Sequence, residues 1–246
     1  MLMLEPGRAG PAWQALAQEM PRPRAILAVS AHWNTRTPAV SAALVPETIH
    51  DFYRFPPALY ELDYRPPGAP ELAEEVAELV PGIQVDSQRG LDHGAWSPLR
   101  FMYPTADIPV IQLAVMPHVD AENHYRLGQL LQPLTSRGVL ILASGGLTHN
   151  LGEVVWDAKD GEALPHVREF RDWFVDALQR RDLPALFDWQ HRAPQAARAH
   201  PSPEHLLPLY VALGAAGDAA GTQLVFSDYQ LGALALDAFR FDSSTI

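Results

Sequence analysis

Three long apolar runs dominate the chain as far as residue 144. They cover residues 25–31, 109–115 and 138–144, and each carries no more than one polar side chain. A strand with one exposed face alternates apolar and polar residues, whereas a continuous apolar run is typical of a strand covered on both faces. The pattern therefore predicts three buried strands of one sheet.

Apolar residues at helical spacing mark four further segments: 11–20, 70–80, 120–135 and 167–179. Buried strands that alternate with helices predict an α/β fold. We expect a single domain over residues 1–246, with a mainly parallel central sheet covered by helices on both faces. Two later runs, 222–228 and 232–241, predict strands that pair antiparallel at the sheet edge near the C-terminus.

Composition excludes several classes of function. The 246 residues are 48% hydrophobic and carry a formal charge of −11, which repels nucleic acid and anionic membrane surfaces. The absence of cysteine excludes disulfides, thiolate metal sites and cysteine nucleophiles. The start lacks a signal-peptide pattern, and no run approaches the roughly 20 apolar residues of a membrane span. The sequence predicts a cytoplasmic protein with no nucleic-acid or membrane partner.

Histidines follow two of the predicted strands. His32 comes directly after the first run, and His149 follows the third run in the stretch GGLTHN. Ligands of open parallel sheets bind where the carboxyl ends of the strands meet. We therefore expect both rings at one edge of the sheet.

Three more histidines lie in loops or at helix starts: His50, His93 and His205. Ser202 suits an N-cap and Pro203 the N1 position, which predicts His205 in the first turn of a helix. One histidine alone is more often held by a backbone carbonyl, but a cluster of imidazoles suits Fe(II), Zn(II) or Mn(II). The sequence thus predicts a histidine-rich metal site.

The loop after His50 carries Phe52, Tyr53 and Phe55, which serve either core packing or an aromatic wall for a flat substrate. The chain has no G-x-S-x-G, H-E-x-x-H, P-loop or G-x-G-x-x-G motif. Serine hydrolase and nucleotide-binding functions therefore lose most of their support.

Five blocks together carry a resemblance to a known family: SAHW, TIHDFYRFPPALYELDYRPPGAPELA, GLDHGAWSPLRFMYPTADIPVIQLAV, ASGGLTHNL and PSPEHLLPL. In this order and spacing they resemble the class III extradiol ring-cleavage dioxygenases, and within them the DOPA 4,5-dioxygenase-like branch. The similarity runs from about Met1 to Phe239.

The resemblance implies a dioxygenase that uses a non-haem Fe(II), or Zn(II) in some members, to open a catechol ring with O₂. It implies that His32 and His205 are metal ligands, and that His149 is the acid/base group and a further ligand. His93 and His50 resemble groups beside the metal or the substrate. We assign catalysis to His149 and His93, and substrate binding to His50, Phe52 and Tyr53.

The sequence departs from the family at its start. Members begin with a strand followed by Ser-His-Gly-x-Pro, whose histidine is another metal ligand, and this chain starts after that motif. We expect that the start was assigned too far downstream, because a parallel sheet that lacks a strand exposes apolar surface. The other interpretation is a metal shell that is incomplete.

Two other functions stay open beside the dioxygenase. One is a metal-binding protein without catalysis, and the other is a zinc-dependent hydrolase with Glu204 or Asp92 as its base. The identity of the catechol, the native metal and the occurrence of a homo-oligomer are open at this point.

Overall fold

The computed structural model describes residues 7–242, in which the main sheet has five strands. They are β1 (Ala25–Asn34), β2 (Ala39–Ser41), β3 (Gln84–Asp86), β4 (Val110–Val115) and β5 (Val139–Ser144), in the order β3-β2-β4-β1-β5. β1 runs parallel to β4 and β5, and β2 runs parallel to β3 but antiparallel to β4. The predicted mainly parallel sheet is confirmed.

Helices cover both faces of this sheet, as predicted. The α-helices of the described residues are α1 (Ala9–Glu19), α2 (Pro57–Tyr60), α3 (Pro70–Leu79), α4 (His93–Met102), α5 (Ala121–Ser136), α6 (Pro165–Gln179), α7 (Leu183–Phe187), α8 (Trp189–Arg192), α9 (Ala196–Ala199) and α10 (Leu207–Ala215). The helices α3, α5 and α10 pack on one face, and α1 and α4 pack on the other. None of the described helices has the length and apolar character that a membrane span requires.

The C-terminal strands pair as predicted but lie elsewhere. β6 (Gly221–Phe226) pairs antiparallel with β9 (Ala238–Asp242), and β7 (Tyr229–Gln230) pairs with β8 (Leu234–Ala235). These pairs are separate two-stranded sheets, so the prediction that they extend the main sheet was wrong. Four of their apolar side chains pack on the aromatic cluster around α6: Leu224, Tyr229, Phe239 and Phe241.

β5 lies at the edge of the main sheet formed by the described residues, and its side chains from Leu140 to Ser144 are only half-buried. A cavity of about 920 Å³ runs along this strand, between α1 and the segment around β9. The cavity continues to the carboxyl ends of β1 and β5. The cavity therefore reaches the carboxyl ends of the strands, where the histidines were predicted.

His124 is a buried histidine with a structural role. Its Nδ1 donates to the Asp120 carbonyl at 2.8 Å, and its Nε2 accepts from the Met116 backbone N–H at 3.1 Å. These bonds tie the end of β4 to the start of α5. Burial lowers the pKa of His124, although the hydrogen bond to Asp120 opposes this effect.

We expect this histidine to make stability depend on pH. Because its pKa is lower in the folded chain, the unfolded chain takes up the proton first as the pH falls below about 6.5. The stabilisation is present above that pH and is lost below it. Urea unfolding at about pH 8 and about pH 5.5 should show a larger loss for the wild type than for His124→Gln. Equal losses in the two proteins would contradict this role.

Candidate active site

β1 carries His32 to the carboxyl edge of the sheet. The strand continues past its predicted end at residue 31 and reaches Asn34, so His32 lies within it. Side chains alternate along a strand, and His32 lines the cavity while Trp33 is buried beneath the Arg89 guanidinium, 5.1 Å from the ring centroid. The position of His32 in the strand therefore directs its side chain into the cavity.

His149 is held by its two neighbours in the chain. Thr148 Oγ1 donates to the Ala233 carbonyl at 2.9 Å, and Asn150 Nδ2 donates to the Arg198 carbonyl at 2.7 Å. The loop after β5 is thereby anchored on both sides of the histidine. This explains the Thr-His-Asn sequence: the outer residues hold the backbone, and the central ring lines the cavity.

His205 lies in the turn before α10, so the predicted position in the first turn of a helix was wrong. Ser202 Oγ donates to the Glu204 carboxylate at 2.9 Å and does not cap the helix. The His205 carbonyl accepts from the Gly146 N–H at 3.0 Å. This bond joins the turn to the loop after β5 and brings His205 beside His149.

His93 is the first residue of α4, and Asp92 caps this helix by accepting from the Ala95 N–H. Asp92 is fully buried and also accepts from Ser30 Oγ at 2.6 Å, from Arg89 and from the Gln112 amide. Asp92 therefore lacks the free oxygen that the base of a hydrolase needs.

Four histidine rings meet in the cavity. The centroid distances are 3.9 Å for His32 and His93, 4.9 Å for His32 and His205, and 3.4 Å for His149 and His205. The last two rings are stacked, with their planes 8° apart. The structure thus brings together four of the five predicted histidines.

Two carboxylates extend this cluster. Potential ligand atoms of His32, Asp51 and His93 lie within 4.8 Å of one another, and so do those of His149, Glu204 and His205. The contact between His32 and His205 connects the two sets. Asp51 was not among the predicted site residues, although it follows His50 directly in TIHDF.

Burial favours the neutral form of three of these imidazoles, those of His32, His149 and His205. It lowers the pKa of His32 to about 4, with His93 adding to the effect, and it lowers the pKa of His149. The pKa of His205 falls well below its usual 6.5, through burial and then through His149 and His32. A neutral imidazole has one unprotonated nitrogen, so this donor set fits a divalent transition metal.

Phe52 and Tyr53 line the cavity, whereas His50, which precedes them, does not. Phe52 is buried, meets the His93 ring edge-on at 5.7 Å and lines the cavity, and Tyr53, 85% exposed, lies at its rim. His50 does not line the cavity. Its Nε2 lies 2.8 Å from the Leu62 carbonyl, and its ring packs on Phe52.

Gly94 lets α4 approach β1 closely. A Cβ at this position would overlap Ser30 Oγ and lie 3.0 Å from a carbon of the His32 ring. We expect Gly94→Ala to cost roughly 1–3 kcal/mol in the free energy of unfolding and to disturb the pairing of His32 with His93. Gly221→Ala is the matched control, because a Cβ there meets nothing within 4 Å. Equal urea midpoints for the two variants would contradict this prediction.

Known proteins resemble this chain over most of its length. Residues 11–236 match the family described as the catalytic LigB subunit of aromatic ring-opening dioxygenase. A 4,5-DOPA dioxygenase extradiol of Beta vulgaris is 42% identical over 228 residues, which cover 91% of this chain and 84% of the relative. The Escherichia coli K12 protein of the same name is 38% identical over 224 residues, covering 87% and 81%.

A solved structure agrees with this assignment. An uncharacterized protein from Escherichia coli K12 has a TM-score of 0.80 and 31% identity, covering 94% of this chain and 91% of that chain. The predicted resemblance is confirmed: the chain belongs to the LigB family of aromatic ring-opening dioxygenases and is an extradiol dioxygenase.

Proposed function

We propose that the chain opens the ring of a catechol beside its diol, with a non-haem Fe(II) in the histidine cavity. The observation that carries this proposal is the meeting of the rings of His32, His93, His149 and His205. The relatives named 4,5-DOPA dioxygenase, at 38% and 42% identity, support DOPA or a similarly substituted catechol as the substrate, together with O₂.

His32 and His205 are the proposed principal metal ligands, and His149, stacked on His205, is a further and weaker one. Neutral imidazoles suit both Fe(II) and Zn(II), but zinc has no redox chemistry, and ring opening consumes O₂. We therefore favour Fe(II). When bound, Fe(II) supplies open coordination positions for the two catechol oxygens and for O₂.

His149 and His93 are the proposed proton-transfer groups. A catechol gives up a hydroxyl proton before its ring opens, and the product takes one back. His93 Nδ1 lies 2.9 Å from Asp51 Oδ1, which leaves Nε2 to accept a proton from a substrate hydroxyl. The His149 ring lines the same cavity and is stacked on His205.

Phe52 and Tyr53 are the proposed walls for the substrate ring. Phe52 excludes water beside His93, and Tyr53 covers the entrance. His50, which we expected on the substrate side, lies behind Phe52 and is proposed to position it. No observation on the described residues favours a silent metal-binding protein or a zinc hydrolase.

The test is the fate of the oxygen atoms. Protein loaded anaerobically with Fe(II) should convert DOPA under ¹⁸O₂ to a yellow ring-opened product that contains both labelled oxygens and needs no added reductant. Tyrosine, which lacks the second hydroxyl, and zinc-loaded protein are the matched controls. A protein that binds Fe(II) and consumes no O₂ with any catechol of a panel would overturn the proposal.

A further inference from the structure

We propose that Asp51 is a positioning residue that orients two histidines of the site at once; this inference rests on the proposed function. Asp51 lies in the loop between β2 and α2. Its Oδ1 accepts from the backbone N–H of His93 and from Nδ1 of the same residue, both at 2.9 Å. Its Oδ2 lies 3.7 Å from Nδ1 of His32.

The two bonds to His93 fix both the helix and the ring. The first N–H groups of a helix have no partner within it, so Asp51 satisfies a free donor where α4 begins. The same oxygen faces Nδ1 of the ring, and a carboxylate only accepts hydrogen bonds. Nδ1 therefore carries the hydrogen, and the unprotonated Nε2 is available to the cavity.

The second oxygen faces His32, a proposed metal ligand. A carboxylate beside a ligand imidazole fixes the ring orientation and raises its basicity. The rings of His32 and His93 are 3.9 Å apart, and the Asp51 carboxylate hydrogen-bonds the second and lies 3.7 Å from Nδ1 of the first.

The histidine tautomer tests this inference without measuring activity. In metal-free protein labelled with ¹⁵N-histidine, NMR at one fixed pH should show His93 with its hydrogen on Nδ1. Asp51→Ala should move it towards Nε2, and His93→Gln identifies the signals. Asp188→Asn is the matched control, because Asp188 Oδ1 lies 2.6 Å from His191 Nδ1 on the exposed surface. An unchanged His93 tautomer in Asp51→Ala would overturn the proposal.

Kinetics of the iron-loaded enzyme give the second readout. Asp51→Ala should lower kcat or Fe(II) affinity by roughly 10–100-fold, the usual effect of losing a partner of a ligand histidine, with a smaller change in KM. Asp51→Asn keeps an oxygen that accepts from His93 and should recover part of the loss. Turnover and Fe(II) affinity of Asp51→Ala that both equal those of Asp188→Asn would refute this inference alone. An inactive wild type would refute the proposed function, while the tautomer still tests Asp51.

Discussion

Replacing His32 with alanine is expected to remove the bound metal and, with it, ring opening. The ring lies between His93 and His205, where its loss leaves a gap in the centre of the cluster. Affinity for Fe(II) should fall by more than the roughly 10–100-fold that losing an outer partner costs. Metal content after dialysis and the rate of catechol cleavage measure the two effects.

His191→Ala is the matched control for that experiment, since its side chain is 84% exposed and lies outside the cavity. It should keep both metal and turnover. Full iron occupancy and full activity in His32→Ala would show that the metal is held elsewhere.

The second large effect is expected at His149. His149→Ala should keep most of the metal but lose ring cleavage by roughly 10²–10⁴-fold, because a positioned acid/base group contributes about that much. His149→Gln, which keeps a polar side chain beside His205, should be equally slow, since an amide does not carry a proton between steps. Loss of metal with unchanged turnover per bound iron would instead make His149 a ligand only.

The three long strands could be predicted because a sheet covered on both faces favours apolar residues at nearly every strand position. β1, β4 and β5 carry apolar residues on both faces. Such a continuous apolar run is typical of a strand in a covered sheet and of few other elements. β2 and β3 were not predicted, because each has only three residues and those of β3 are all exposed. For β6 and β9 the sequence predicted the pairing, but the packing of Phe239 on the α6 cluster decides where they lie.

The histidine cluster could be predicted in part for the same reason. His32 lies near the carboxyl end of β1 and His149 follows β5, and the carboxyl ends of these parallel strands must meet at one edge. The neighbours His50 and Asp51 show the limit, because sequence alone does not reveal which of two adjacent polar side chains faces a cavity. His50 turns to the Leu62 carbonyl, and Asp51 turns to His93. These choices depend on α4 and on the segment after α2, which lie 42 and 12 residues away in sequence.

The position of the metal tests the central claim most directly. Crystals of the full chain, loaded anaerobically with Fe(II), should give an anomalous peak at the iron absorption edge inside the histidine cavity. The account predicts ring nitrogens of His32 and His205 at about 2.0–2.2 Å from that peak, with the His149 ring beside it. An iron peak outside this cavity, or an iron with neither His32 nor His205 among its ligands, would contradict it.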